Sequence, residues 1–179
     1  MNLEKLLHLK GLRWKLAWFL VNRVFKGTNA KYFDIKRRLL IWAGNSVGEG
    51  TKIVGPIECY CPLEIGKDCW IGKDLKVNGN GKVVIGDRCD IAPEVTFQTG
   101  GHEIGDKDRR AGAGKRFTQI VKNGVWIGGR VTVLNDTVIG EGSVVASCAC
   151  VTHDVEPNTL VGGIPAKVLR RLTDEAFKE

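Results

Sequence analysis

From position 121 onward the chain places an apolar side chain at every sixth residue. Val121, Ile127, Val133, Ile139, Val145 and Val151 are β-branched aliphatics, and four positions after each stands Val125, Val131, Thr137, Ser143, Ala149 or Val155. Neither a helix, with a period near 3.6, nor a strand, with a period of 2, gives that beat. A coil made of flat six-residue faces does. One aliphatic per face points inward, a smaller residue fills the corner, and stacked coils share a core. An antiparallel sandwich would instead alternate in polarity, with turns every 8 to 12 residues or so. The same phase runs earlier through Val47, Ile53, Cys59, Ile65, Ile71 and Val77, slips by two residues, and resumes at Ile85, Ile91 and Phe97. The slip coincides with Asn78-Gly79-Asn80-Gly81, a turn composition that predicts an outward bulge.

After Phe97 the beat stops at Gly100-Gly101-His102 and returns only at Ile120 or Val121. Residues 103–119 therefore form a loop, and a loop of that length inside a tight repeat points to function. Ahead of the coil, residues 3–25 interleave apolar and basic positions, which predicts a helix interrupted near Gly11; a second short helix is predicted over residues 34–43. These helices either close the open end of the coil or lie on an anionic membrane surface. Past residue 160, Pro165 suits the first turn of a charged C-terminal helix. The expected organisation is a basic helical segment 1–45, a coil domain 46–160 carrying the loop 103–119, and a short helix within 161–179.

Charge sharpens this division. The net +7 resolves into ten Lys or Arg against two acids in the first forty residues, and seventeen against eighteen in the rest. The basic character thus belongs to the N-terminal segment, and no nucleic-acid motif accompanies it. Of the six cysteines, Cys69 and Cys89 fall in the small corner slot, where a thiol is a compact filler. The apolar run at residues 16–21 is too short for a secretory leader, so reduced cytoplasmic thiols are expected. The pairs Cys59/Cys61 and Cys148/Cys150 have a gap unlike that of zinc sites, and no metal is expected. Among the histidines His8 sits on a helix and His153 in the last coil. His102 stands at the break, beside two glycines that let a partner approach and ahead of a basic loop.

Three runs carry a resemblance: Asp90-Ile91-Ala92-Pro93-Glu94-Val95-Thr96 with Gly101-His102, then Asn123-Gly124-Val125-Trp126-Ile127-Gly128-Gly129, then Gly162-Gly163-Ile164-Pro165-Ala166-Lys167-Val168. Together with the hexads, over about residues 47–172, the chain resembles the hexapeptide-repeat acyltransferases, nearest to the sugar O-acetyltransferases that include the galactoside and maltose enzymes. The resemblance implies an all-β core in the form of a left-handed parallel β-helix, with N-terminal and short C-terminal α-helices. It implies a homotrimer with acetyl-CoA as co-substrate in the groove between coils and His102 as general base. It also places Trp126, Gly129, Ser147, Thr152, Lys167 and Arg170 along the cofactor groove, with the Gly129 N–H as oxyanion donor. Asp74, Asn78, Asn80, Arg109 and Arg110 are the candidates for holding the acceptor. The sequence departs from the family at His153, where the relatives have lysine, at Gly72 in place of a sugar-binding asparagine, and at Asn80 in place of an aspartate. The expected activity is O-acetylation of a sugar or of a polysaccharide or lipid-linked saccharide precursor. That protein would be cytoplasmic and peripheral at the inner face of the membrane through residues 1–40. Serine, amino-sugar or xenobiotic acetylation on the same fold, and a non-catalytic scaffold, are the alternatives. The γ-type carbonic anhydrases of this fold need three histidines around the coil interface, where this chain has one.

Overall fold

The computed structural model describes residues 3–173, with side chains from residue 11 onward. Its core is a left-handed parallel β-helix of triangular section. The first face stacks strands Ser46–Val47, Leu63–Ile65, Lys82–Ile85, Thr118–Val121 and Thr137–Ile139. The second stacks Lys52–Ile53, Trp70–Ile71, Asp90–Ile91, Trp126–Ile127, Val144–Val145 and Thr159–Gly162. The third stacks Ile57–Cys59, Leu75–Asn78, Thr96–Gln98, Thr132–Val133 and Cys150–Val151.

The hexads explain the stacking. Every inward aliphatic named above is buried, and so is every small residue four positions on. Inward residues pair eighteen positions apart in the early and late coils, as Val47 with Ile65 and Val121 with Ile139. Ile65 pairs with Ile85 instead, so the two extra residues go into the corner, where Gly79 and Asn80 are exposed as the turn composition predicts. Ile85 pairs directly with Val121, and the strand begins at Thr118, two residues inside the predicted loop, because Thr118 and Gln119 pair with Lys82 and Val83; the coil closes beneath residues 103–117 as though they were absent. Close approach at the corners requires glycine: a Cβ on Gly128 would sit 2.6 Å from the backbone nitrogen of Ser147 in the next coil.

The N-terminal helices close the open end. α1 is Leu3–Phe19, followed by a π-helical turn Leu20–Val24, and α2 is Ala30–Trp42. Two expectations are corrected here. α1 runs through Gly11 without a break, since that residue is exposed with nothing near its missing Cβ and a helical glycine costs only about 1 kcal/mol. α2 starts four residues before the predicted position because Asn29 caps it, its side chain accepting from the Lys31 N–H at 3.0 Å.

The closure is made of hydrogen bonds that the first coil would otherwise lack. Asn22 donates to Ile57 O at 2.7 Å and accepts from Ile57 N–H at 3.0 Å. Asn45 donates to Leu40 O at 2.9 Å and accepts from Leu63 N–H at 3.0 Å. Lys36, with 0% of its surface exposed, donates to Gly27 O at 2.8 Å and to Val54 O at 2.9 Å, and its ammonium lies 5.0 Å from the Phe33 ring centre.

The other end corrects the predicted C-terminal helix. In its described part the segment is a strand, Lys167–Arg171, antiparallel to Thr159–Gly162. The last coil leaves a row of unpaired backbone groups on the second face, and a returning strand satisfies them where a helix could not. Residues 174–179 lie outside the described part.

Candidate active site

The predicted loop is mostly a β-hairpin, Gly100–Ile104 against Ala111–Arg116, leaving the corner between the third and first faces. Its ladder pairs His102 with Gly114, and Glu103 and Lys115 form an ion pair across it at 2.8 Å. The base is pinned by buried Gln119, whose amide donates to Gln98 O, Val133 O and Asn135 O at 3.0, 3.0 and 3.1 Å. Three carbonyls from two coils thus share the two amide hydrogens of one side chain, whose Oε1 is buried without a partner among the described residues.

His102 is exposed on this hairpin, and its Nδ1 lies 2.9 Å from Gly112 O. A carbonyl only accepts, so in the neutral ring Nδ1 carries the proton and Nε2 keeps the free lone pair. No sequence signal marks this orienting partner, a backbone atom eight residues beyond the strand containing His102. His102 borders a cavity of about 460 Å³ lined also by Asn78, Asn80, Gln98, Lys115 and Arg116. Its chemistry is amides, two cations and glycine backbone, which suits a hydroxyl-rich molecule.

The other candidates divide among five places. Asn78 and Asn80 line the His102 cavity. Arg109 and Arg110 do not: they sit at the hairpin tip, where Arg109 N–H donates to Asp106 at 3.0 Å and the Arg110 guanidinium to Gly105 O at 3.3 Å. Lys115 and Arg116 take the place at the cavity expected of them. Asp74 lies in a separate groove beneath α1, beside Trp14, Trp18 and Tyr60. Thr152 is at the His102 corner, two coils further on, with its hydroxyl 2.8 Å from His153 Nδ1.

The remaining cofactor candidates gather on the second face and its corner with the third. Register places Trp70, Asp90, Trp126, Val144, Leu160 and Arg170 in one row across the face. Trp70 and Trp126 flank a cavity of about 390 Å³ floored by Ala92 and Pro93. Lys167 pairs with Gly162 at the end of the same sheet. At the corner, Gly128 N–H bonds to Val145 O at 2.8 Å and Arg130 N–H to Pro93 O at 3.1 Å, whereas the intervening Gly129 N–H has no protein acceptor among the described residues. Ser147 is exposed directly above Gly128. Within one chain the third face separates this row from His102.

Among the described residues there is no cluster of three metal-ligating side chains. Cys59 and Cys61 bond to each other's surroundings instead, the Cys59 thiol donating to Cys61 O at 2.8 Å, and burial pushes both thiols up, away from the thiolate form a metal needs.

No family model matches the chain. The galactoside O-acetyltransferase of Escherichia coli K12 is 31% identical over 131 residues, which cover 72% of this chain and 64% of that protein. A putative acetyltransferase of Schizosaccharomyces pombe is 39% identical over 125 residues, 66% of this chain and 60% of the relative. This chain therefore spans a little under two thirds of the length of the curated relatives it matches. A hexapeptide-repeat-containing acetyltransferase of Vibrio cholerae superposes with a TM-score of 0.79 at 26% identity, covering 93% of both chains, and has also been solved complexed with acetyl coenzyme A. A galactoside acetyltransferase in complex with coenzyme A gives a TM-score of 0.76 at 25% identity, over 94% of this chain and 84% of that one. The left-handed coil, the His102 break and these likenesses define a hexapeptide-repeat acetyltransferase fold. In sequence and fold the chain is similar to hexapeptide-repeat acetyltransferases, galactoside O-acetyltransferases among them.

Proposed function

We propose that the protein is an acetyl-CoA-dependent O-acetyltransferase acting in the cytoplasm on a saccharide hydroxyl, with His102 as general base. The observation that carries this reading is the Nδ1–H to Gly112 O bond, which leaves Nε2 free at the edge of an amide-lined cavity. The acceptor hydroxyl gives its proton to Nε2 as its oxygen attacks the thioester carbonyl. The tetrahedral oxyanion accepts from the Gly129 N–H. Collapse expels the thiolate of coenzyme A, which takes the proton back from the imidazolium. No acyl-enzyme forms.

Trp126 offers an apolar wall to the pantetheine arm, and Lys167 and Arg170 offer cations to the phosphates. Because the third face lies between His102 and this row in one chain, a complete site requires the His102 hairpin of one subunit to lie against the row of the next. A homotrimer supplies three such junctions. Asn78, Asn80 and Gln98 present donors and acceptors together, as sugar hydroxyls require, with Lys115 and Arg116 beside them. Asp74, Arg109 and Arg110 can touch the acceptor only where it reaches out of this cavity. A lipid-linked or polysaccharide precursor is long enough to do so, and we favour it over a free monosaccharide.

The test is thiol release from acetyl-CoA across a panel of mono- and oligosaccharide acceptors. His102→Ala should bind coenzyme A normally and lose turnover by about 100-fold or more, the usual worth of a positioned base. Turnover within threefold or so of the parent would remove His102 from the reaction.

A further inference from the structure

α1 is apolar on two opposite sides. Trp14, Ala17, Trp18 and Val21 of α1 and its continuation turn toward the coil. On the far side Leu12, Leu16 and Phe19, spaced i, i+4 and i+7, remain 56%, 44% and 56% exposed. A helix that meets only its own domain keeps the far side polar. Here the far side continues through exposed Val24 and onto α2, where Ile35, Ile41 and Trp42 are also exposed. The Arg13 guanidinium, 5.7 Å over the Trp42 ring centre, joins the two helices into one surface.

The charges on α1 and its continuation are cations, of which Lys15, Arg23 and Lys26 stand at the edge of the groove beneath α1 that Glu58 and Asp74 also line, and the acid on α2, Asp34, is paired. Residues 11–33 contain no Asp or Glu, and carry Arg13, Lys15, Arg23, Lys26 and Lys31. None of these five has an acidic partner among the described residues. Asp34 is taken by Arg37 and Arg38 at 3.2 and 2.7 Å.

We propose that the α1–α2 hairpin is a docking surface for an anionic lipid bilayer. Leu12, Leu16, Phe19 and Trp42 enter the boundary between headgroups and acyl chains, and the five cations meet lipid phosphates. A second copy of this chain is the poorer occupant, because identical hairpins facing one another would bring an excess of like charges together, with Asp34 already paired to Arg37 and Arg38. The bilayer offers the opposite charge and an apolar layer at the depth these side chains reach. Docking is in the plane of the surface: among the described residues no helix is long and apolar enough to cross a membrane. A closing helix and a docking helix are thus one element using two sides, which would hold the His102 hairpin at a fixed distance from the lipid.

The experiment is co-sedimentation of the full chain with vesicles of about 30% phosphatidylglycerol in phosphatidylcholine and with phosphatidylcholine alone, at low and high salt. Binding is expected with the anionic vesicles only, and salt should release it. Arg23→Ala with Lys26→Ala should lower the partition coefficient about 25-fold, about fivefold for each cation. Leu16→Ser with Phe19→Ser should abolish partition while leaving the melting of the coil and the oligomeric mass by light scattering unchanged. Retention of the parent in the supernatant with anionic vesicles at low salt would overturn the proposal. So would unaltered binding of the Leu16/Phe19 variant, or a loss of oligomeric mass in it, which would assign the stripe to a second copy. Each readout is independent of acetyl transfer, so failure of the proposed reaction would leave the result standing.

Discussion

Lys36 should make the stability of this protein rise with pH through the mildly alkaline range. Burial lowers its ammonium from an ordinary 10.5 to about 8. Below pH 8 both folded and unfolded chains hold this proton, and the cost of keeping the charge inside is fully present. Between about 8 and 10.5 the unfolded chain still holds the proton and the folded one has released it. Stability therefore increases with pH across that window and levels off above it. The gap corresponds to about 3 kcal/mol as an upper limit, and 1–3 kcal/mol is the useful range once local relaxation is allowed. Other groups titrate there too, so the informative quantity is the difference between the parent and Lys36→Met, which has no proton to lose. At neutral pH the variant sheds the desolvation cost but leaves Gly27 O and Val54 O without their donor, two losses that oppose each other. Urea midpoints followed by tryptophan fluorescence from pH 7 to about pH 10.5 give both curves. The parent should gain 1–3 kcal/mol or so relative to the variant across the window. Parallel curves would show that the ammonium is solvated and that Lys36 is not buried in the N-terminal closure.

Other outcomes follow from the corners and the hairpin. Gly128→Ala should cost about 1–3 kcal/mol, because its Cβ meets the backbone of Ser147 at 2.6 Å, while Gly114→Ala, with nothing within 4 Å, should stay within about 0.5 kcal/mol; thermal melting compares them. Replacing residues 105–110 at the hairpin tip with a two-residue turn keeps the His102–Gly114 pairing and should change the acceptor profile more than coenzyme A affinity, as parallel calorimetry and acceptor screening would show. An unaltered acceptor profile would exclude the tip from acceptor recognition.

The hexads were legible because each face buries one side chain at a fixed place, so packing writes the fold directly into the spacing of Val121, Ile127 and their successors. Three features escaped for identifiable reasons. The strand Lys167–Arg171 owes its form to the unpaired edge it covers, a tertiary partner that Val168, Leu169 and two arginines do not announce. The hairpin strand Ala111–Arg116 is built of Ala and Gly, which carry no β propensity, and is held by ladder bonds and by the Glu103–Lys115 pair. Asn29 was readable as a cap and shows how a single polar residue shifts a helix start. The candidate site was half legible. The break in the beat marks His102, and the turn composition marks Asn78 and Asn80. Gly112 O and the Gln119 amide clamp act through backbone atoms whose meeting only the folded corner creates. Arg109 and Arg110 drew attention by charge alone, and charge does not say which rung of a hairpin faces the cavity.

The direct pairing of Ile85 with Val121 carries an evolutionary consequence. Because the coil closes beneath the hairpin with its stacking intact, the segment bearing His102 and the cavity wall is an appendage to a framework that does not need it. Mutations, insertions and exchanges there leave the stacked core in place, and under the proposed function the residues that hold the fold and those that meet the acceptor are largely different residues. A lineage built this way can diversify at the corner while the prism beneath drifts slowly, constrained by one inward side chain per face, the small residue at each corner and the glycines where coils touch.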